Sequence, residues 1–254
     1  MIIWKVIERP ILYNPILIEG LPGIGNVGKM AVEYLIHKLG AKKFAEIYSD
    51  HFPYHVFIRE DYTVELPKNE FYFVKGKKRD LVLLTGDFQS MTPHGHYEIA
   101  SEILEFVKNL GVSEMITVGG FGVEEIPSKP KVVGAATHKE LVEEFKKYGV
   151  DFEYGERVGM IIGASGLLLG LGKLKDMRGV CLMGETFARP MFTDARAAKV
   201  VLDVLTSYLD IEVDMRDIEE KAKELSRAIA KAKELETKML EKLRKPGEEL
   251  RYIG

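Results

Sequence analysis

Short apolar runs open the chain and a long striped one closes it. Ile2 to Ile7 and Ile16 to Glu19 predict strands, separated by Pro10 and an Asn14-Pro15 turn. The second run meets a turn holding Gly20, Pro22, Gly23, Gly25 and Gly28. An amphipathic helix follows through Met30, Ala31, Tyr34, Leu35, Lys38 and Leu39, closed by Gly40. Phe44 to Tyr48 predicts another strand. Val56 to Ile58, Thr63 to Leu66 and Glu70 to Val74 alternate between turn residues and predict an antiparallel excursion off the main sheet. Asp80 to Thr85 reads as a buried strand ending in Gly86-Asp87-Phe88-Gln89, and His96 to Leu110 as a helix closed by Gly111.

The same unit recurs. Met115 to Val118 is a strand with Gly119-Gly120-Phe121-Gly122 as its terminal loop. Val132 to Ala136 is another, with Thr137 as N-cap of a helix from Lys139 to Tyr148. Gly159 to Ile162 leads through Gly163-Ala164-Ser165-Gly166 into an apolar helix start, Leu167 to Leu171. Gly179 to Met183 is a buried strand ending at Gly184-Glu185-Thr186, and Asp194 to Leu209 is a helix capped by Thr193 or Asp194. Strands alternating with helices of this length predict an α/β fold, a mainly parallel sheet covered on both faces. Each glycine cluster follows a strand, so all are expected on the carboxyl edge of that sheet, as a pocket or as a contact surface.

From Met215 to Arg244 the pattern changes. Ile218, Ala222, Leu225, Ile229, Ala232, Leu235, Met239 and Leu243 recur every three or four residues. Asp217/Lys221, Glu219/Lys223, Glu234/Lys238 and Glu241/Lys245 form i,i+4 pairs in the favourable order. A helix of thirty residues spans roughly 45 Å, more than a domain of this size needs to cover itself. Such a helix either lies along its own domain or packs with others in an assembly, and the small alanines in the stripe suit the second. The organisation expected is a core over residues 1–212, an oligomerisation helix over 213–245 and a flexible tail over 246–254.

Composition narrows the partners. Lys and Arg number 36 against 39 Asp and Glu, a net charge of -3, which gives no global field for nucleic acid or an anionic membrane. No apolar run reaches the length of a membrane span and no secretory leader pattern opens the chain, so a cytoplasmic location is expected. The one cysteine, Cys181, lies between Val180 and Leu182 and is expected buried in a strand. Four Asn and one Gln in a Lys- and Glu-rich chain are the bias of heat-adapted proteins.

Chemistry is sparse. Gly23, Gly25 and Gly28 fit the letters of a dinucleotide fingerprint, with Asp50 at the distance of a ribose ligand. Those glycines serve equally for close helix–sheet packing, which is the reading preferred. A nucleotide or nucleoside on the loop Gly20, Gly23, Gly25, Gly28, with Glu185, stands as the alternative. Glu185 and Asp87 follow buried strands where an acid/base pair would sit, although such carboxylates also satisfy loop amides. His94-Gly95-His96 near Asp87 is a short motif ahead of a helix, and neither metal nor cofactor is expected. Ser165 lacks the nucleophile-elbow pattern, because Leu167 stands where its last glycine belongs. No catalytic residue is assigned. The ending Leu250-Arg251-Tyr252-Ile253-Gly254 places an aromatic and an aliphatic group beside the terminal carboxylate, a form that can insert into a partner's pocket.

Taken together, Leu17 to Gly28 (LIEGLPGIGNVG), Ile162 to Leu168 (IGASGLL), Leu182 to Thr186 (LMGET) and Asp194 to Ala198 (DARAA), with the terminal helix, resemble the proteasome assembly chaperone 2 family in its archaeal form. The resemblance covers about residues 12 to 225. It implies a three-layer α/β/α domain akin to purine nucleoside phosphorylase-like folds, without enzymatic activity. It further implies a homo-oligomer acting on proteasome α-subunits or the core particle. Members of this kind can dock on the α-ring through a terminal hydrophobic-Tyr-any tripeptide. Here Tyr252 stands third from the end and Arg251 precedes it, a departure from that ending.

Overall fold

The computed structural model describes residues 1–153 and 159–244. One sheet of eight strands runs through it. In chain order these are β1 (Ile2–Val6), β2 (Ile16–Glu19), β3 (Lys42–Ser49), β6 (Asn69–Val74), β7 (Leu81–Gly86), β8 (Glu114–Val123), β9 (Val132–Ala136) and β10 (Arg178–Phe187). Across the sheet the order is β1-β3-β6-β7-β2-β8-β10-β9. The centre, β7-β2-β8-β10, is parallel, while β6, β3 and β1 on one side and β9 on the other run antiparallel. A separate two-stranded ribbon, β4 (Phe57–Ile58) and β5 (Val64–Glu65), stands beside it.

The period-2 alternation of the central strands splits the core in two. Ile16, Ile18, Leu81, Leu83, Ile116, Val118, Val180 and Leu182 face α1 (Val27–Lys38), α3 (Lys139–Lys146) and α5 (Ala195–Leu209). Leu17, Val82, Leu84, Met115, Cys181 and Met183 face α2 (Pro93–Asn109) and α4 (Ala164–Leu174). Central strands buried on both faces are what a parallel sheet under two helical layers demands. The three-layer α/β/α reading therefore holds, and Cys181 is fully buried, its thiol pushed up to about 12 by that burial.

Four local expectations are corrected. Residues 70–74 do not leave the sheet: β6 lies within it, bonded to β3 and β7, and only β4 and β5 form the excursion. Gly119 to Gly122 is not a loop, nor is Gly184 to Thr186. Both belong to strands that continue in register, Gly120 beside Gly184 and Gly122 beside Thr186. Glycine is used there for clearance, since a Cβ on Gly120 would stand 2.1 Å from the Ile24 carbonyl oxygen. Thr137 is not the cap of α3. His138 holds that position, and the Thr137 hydroxyl accepts the Gly179 N–H at 2.9 Å instead.

The antiparallel flank holds a buried charge network that the hydrophobic pattern does not reveal. Glu46 on β3 lies directly opposite Glu70 on β6. Lys68 is buried and reaches Glu46 at 2.8 Å and Glu70 at 3.3 Å, and also contacts Glu65 on the ribbon. Lys43 bridges the same two carboxylates at 2.8 and 2.9 Å. Burial alone would raise the Glu46 carboxyl. Hydrogen bonds from Lys43, Lys68, Lys5 and Tyr48 outweigh it and hold that carboxyl well below the usual carboxylate range. Removing one member of such a set strands the opposing charge. Lys68→Met is expected to cost about 3 kcal/mol in urea unfolding at neutral pH, and an unshifted midpoint would contradict the role given to Lys68.

After α5 the chain turns through residues 210–215 into α6 (Arg216–Arg244). Its base is pinned to α1: Tyr34 Oη donates to the Asp214 carbonyl at 2.7 Å, and Lys38 pairs with Asp217 at 2.5 Å. Ile218 is buried in the core. Beyond it Ala222, Leu225 and Ile229 are half-buried, Ala232 is exposed, and Leu235 is 50% exposed. The stripe thus enters the core at its first residue and loses cover along its length. The Met239 side chain, the tail Leu250, Arg251, Tyr252, Ile253, Gly254 and the rest of 245–254 lie outside the described residues. Among the described residues no helix is long and apolar enough to cross a membrane.

Candidate functional site

The glycine clusters converge at the carboxyl edge of β2, β8 and β10. Backbone contact sets their positions. A Cβ on Gly20 would meet the Gly28 carbonyl oxygen at 2.1 Å, and one on Gly28 would meet that of Val118 at 2.2 Å, so the first turn of α1 rests on the sheet without side chains between. Gly25 and Asn26 adopt left-handed φ values of 63° and 52°, and a Cβ on Gly25 would stand 2.6 Å from Thr186 Oγ1. Gly23 alone of the four has room, its nearest neighbour being Gln89 Nε2 at 3.8 Å from a Cβ position. Glu185 lies on β10, where its Oε2 accepts the Lys131 N–H at 3.0 Å. Asp87 accepts the Lys68 N–H at 3.1 Å, so each of these carboxylates serves a backbone amide.

Two polar side chains tie the loops together. Gln89 donates to the Pro22 carbonyl at 2.7 Å and accepts the Ala164 N–H at 2.9 Å, joining the β2–α1 turn to the start of α4. Gly163, with φ of 99°, makes room for it, since a Cβ there would lie 2.5 Å from Gln89 Oε1. Asp194 is fully buried and caps α5 through the N–H groups of Arg196 and Ala197. It also accepts the Thr186 hydroxyl at 3.1 Å and a two-pronged contact from the Arg196 guanidinium at 3.0 and 2.9 Å. Its own N–H donates to the Gly25 carbonyl at 2.9 Å.

Beneath these loops lies Glu19, the last residue of β2 and wholly buried. Leu21 N–H donates to its Oε1 at 3.2 Å, and the Ser165 hydroxyl to its Oε2 at 3.0 Å. Burial pushes the carboxyl up to about 7 against these bonds, because no cation is among its partners. Sequence reading passed over Glu19 as the end of a strand. The available signal was a carboxylate closing a run that is otherwise apolar in a strand buried on both sides.

What remains open on this edge is superficial. A cleft of about 500 Å³ lies between Gly23, Ile24, Gly25, Asn26 and the segment Ala188 to Thr193. Around the edge Ile24, Met160, Ile162 and Met191 are exposed, Met191 fully so. Of the residues foreseen, the structure brings Gly20 against Gly28 and Gly25 against Thr186. It places Glu185 apart, against Lys131.

A family model described as the PAC2 family matches residues 17–233, most of the chain. The chain belongs to this family. An uncharacterized protein of Methanocaldococcus jannaschii is 39% identical over the whole of both chains. The crystal structure of PbaB of Pyrococcus furiosus, titled an archaeal proteasome activator, superposes with a TM-score of 0.85 at 46% identity, covering 91% of this chain and 98% of that one. PbaA of the same organism, titled an archaeal homolog of proteasome-assembly chaperone, gives a TM-score of 0.73 at 27% identity, over 94% of this chain and 95% of the other.

The PAC2 edge motifs now have physical roles: the first sets the Gly20–Gly28–Val118 contact, and the last supplies the Asp194–Arg196 cap. Glu19 makes the edge sensitive to pH. With a folded value near 7 and an ordinary value of 4.5, the folded chain keeps a proton that the unfolded chain has released between those limits. Unfolding free energy therefore falls as pH rises from 4.5 to about 7, by a contribution on the order of 3 kcal/mol, and levels off above. Glu19→Gln, which imitates the protonated acid, should abolish that decline in denaturation series across the window. A parallel decline in the variant would show that other groups cause it.

Proposed function

We propose that this protein is a non-enzymatic, homo-oligomeric chaperone or adaptor that binds proteasome α-subunits or the assembled core particle in the cytoplasm. The observation that carries this reading is the likeness, at 46% identity and nearly full length, to a structure titled an archaeal proteasome activator. The carboxyl edge supports it. The crevice where α/β sheets commonly receive a small ligand is occupied here by the chain's own glycine backbone, Gln89, Asp194 and Glu19. Apolar side chains stand exposed around that packed edge, as suits contact with another protein.

In this reading α6 joins copies of the chain. Its 29 residues extend roughly 43 Å at about 1.5 Å each, while cover falls from the buried Ile218 through half-buried Ala222, Leu225 and Ile229 to exposed Ala232 and Leu235. Ala222, Leu225, Ile229, Ala232, Leu235 and Met239 supply a narrow seam for a second α6, and the flanking Glu–Lys pairs keep the opposite face in water. The tail Leu250, Arg251, Tyr252, Ile253, Gly254 then contacts the α-ring.

Two measurements check these assignments. Immobilised full-length chain is expected to retain archaeal core-particle α-subunits, and a chain ending at Lys245 to lose most of them. Equal recovery by both removes the tail's role, and recovery by neither removes the proteasome. In light scattering Ile229→Asp should lower the molar mass of the assembly, and an unchanged mass refutes α6 as the joint.

A further inference from the structure

On the other helical layer, the turn after β3 meets the start of α2 at a cluster of nitrogen and oxygen donors. His51 Nε2 lies 2.7 Å from Glu98 Oε2, and His94 Nε2 lies 3.9 Å from the same oxygen. One ligand atom from each of the three falls within 4.8 Å of the others. His94 and Glu98 stand at i and i+4 on α2, on one helix face. The trio differs from the sequence motif: His96 and Asp87 are not part of it.

We propose that His51, His94 and Glu98 bind one divalent transition-metal cation of the zinc or nickel kind. Two imidazoles and one carboxylate suit such ions, whereas calcium and magnesium prefer shells of oxygen. Tetrahedral coordination at about 2.0–2.1 Å sets ligand atoms roughly 3.3 Å apart. The His51–Glu98 separation must then open, and the His94–Glu98 separation close, each by about half an ångström. Both movements are within side-chain rotation, since the His94 side chain is 84% exposed and that of Glu98 is 35% exposed.

His51 is the preset ligand. Its ring is largely covered and packs against the first turn of α2 so closely that a Cβ on Gly95 would stand 2.3 Å from its Cγ. Its Nδ1 lies 3.2 Å from the Thr92 hydroxyl, which also caps α2 by accepting the Gly95 N–H. Without the ion, the 2.7 Å contact is an Nε2–H donated to Glu98; on binding, the ion takes the place of that proton, and an Nδ1–H donated to Thr92 then holds the ring, the orienting arrangement common around metal-bound imidazole. The turn is held further by Asp50, which accepts the Met1 amino group at 2.8 Å, and by the Met91 N–H, which donates to the His51 carbonyl at 2.9 Å. With three protein ligands, the remaining position opens to solvent, and the ion would clamp this turn onto α2.

The test uses untagged full-length protein stripped with chelator, then titrated calorimetrically with zinc chloride and with nickel chloride. One equivalent per chain is expected, with a rise in melting temperature. His94→Ala and Glu98→Gln should each weaken binding about tenfold or more, His94→Ala with the metal-free melting temperature unchanged, and His37→Ala on α1 should have no effect. Absence of saturable uptake, or uptake equally strong in His94→Ala, would overturn the proposal.

Discussion

The approach of α1 to the sheet at Gly20, Gly28 and Val118 is the constraint on which the carboxyl edge depends. Backbone touches backbone there, and any side chain at Gly20 or Gly28 would drive the helix outward. Because α1 sits so low, the turn before it lies directly over β8 and β10. Thr186 packs under Gly25, and the Asp194 amide reaches the Gly25 carbonyl. The same proximity brings Pro22 within reach of Gln89, which in turn fixes α4. One steric requirement thereby sets the relative positions of three helices.

That arrangement places two carboxylates out of water and treats them differently. Asp194 is met by an arginine, two helix amides and a hydroxyl, so its charge is matched. Glu19 has hydrogen-bond donors but no cation, and its proton stays on to near neutrality. A buried acid of this kind in a cleft is a common mark of catalysis. Here the loops close over it, and the hydroxyl beside it belongs to the helix start that Gln89 holds in place.

Much of the architecture was legible because the central strands are buried on both faces and bounded by glycine, and because α2, α5 and α6 carry strong helical periods. The misplacements have separate causes. In β8 and β10 glycine is strand residue and clearance at once, so the rule that glycine ends a strand failed at Gly120 and Gly184. In β6 alternation signalled an antiparallel strand correctly but not which sheet it joins. Pairings made only by folding were beyond one-dimensional reading: Lys68 among Glu46, Glu65 and Glu70, and His51 beside His94, 43 positions along the chain. Glu19 was visible as a residue and not as an environment.

The lysine–glutamate network between β3 and β6 carries a consequence for behaviour in heat. Hydration of ions becomes less favourable as water warms, so the penalty for sealing Glu46 and Lys68 away from solvent shrinks while their mutual attraction persists. Apolar burial, by contrast, gains little more at high temperature. The flank that carries the β4–β5 ribbon is accordingly fastened by the one class of contact whose relative worth grows toward boiling. On cooling, the ionic fastening of that ribbon loses this advantage.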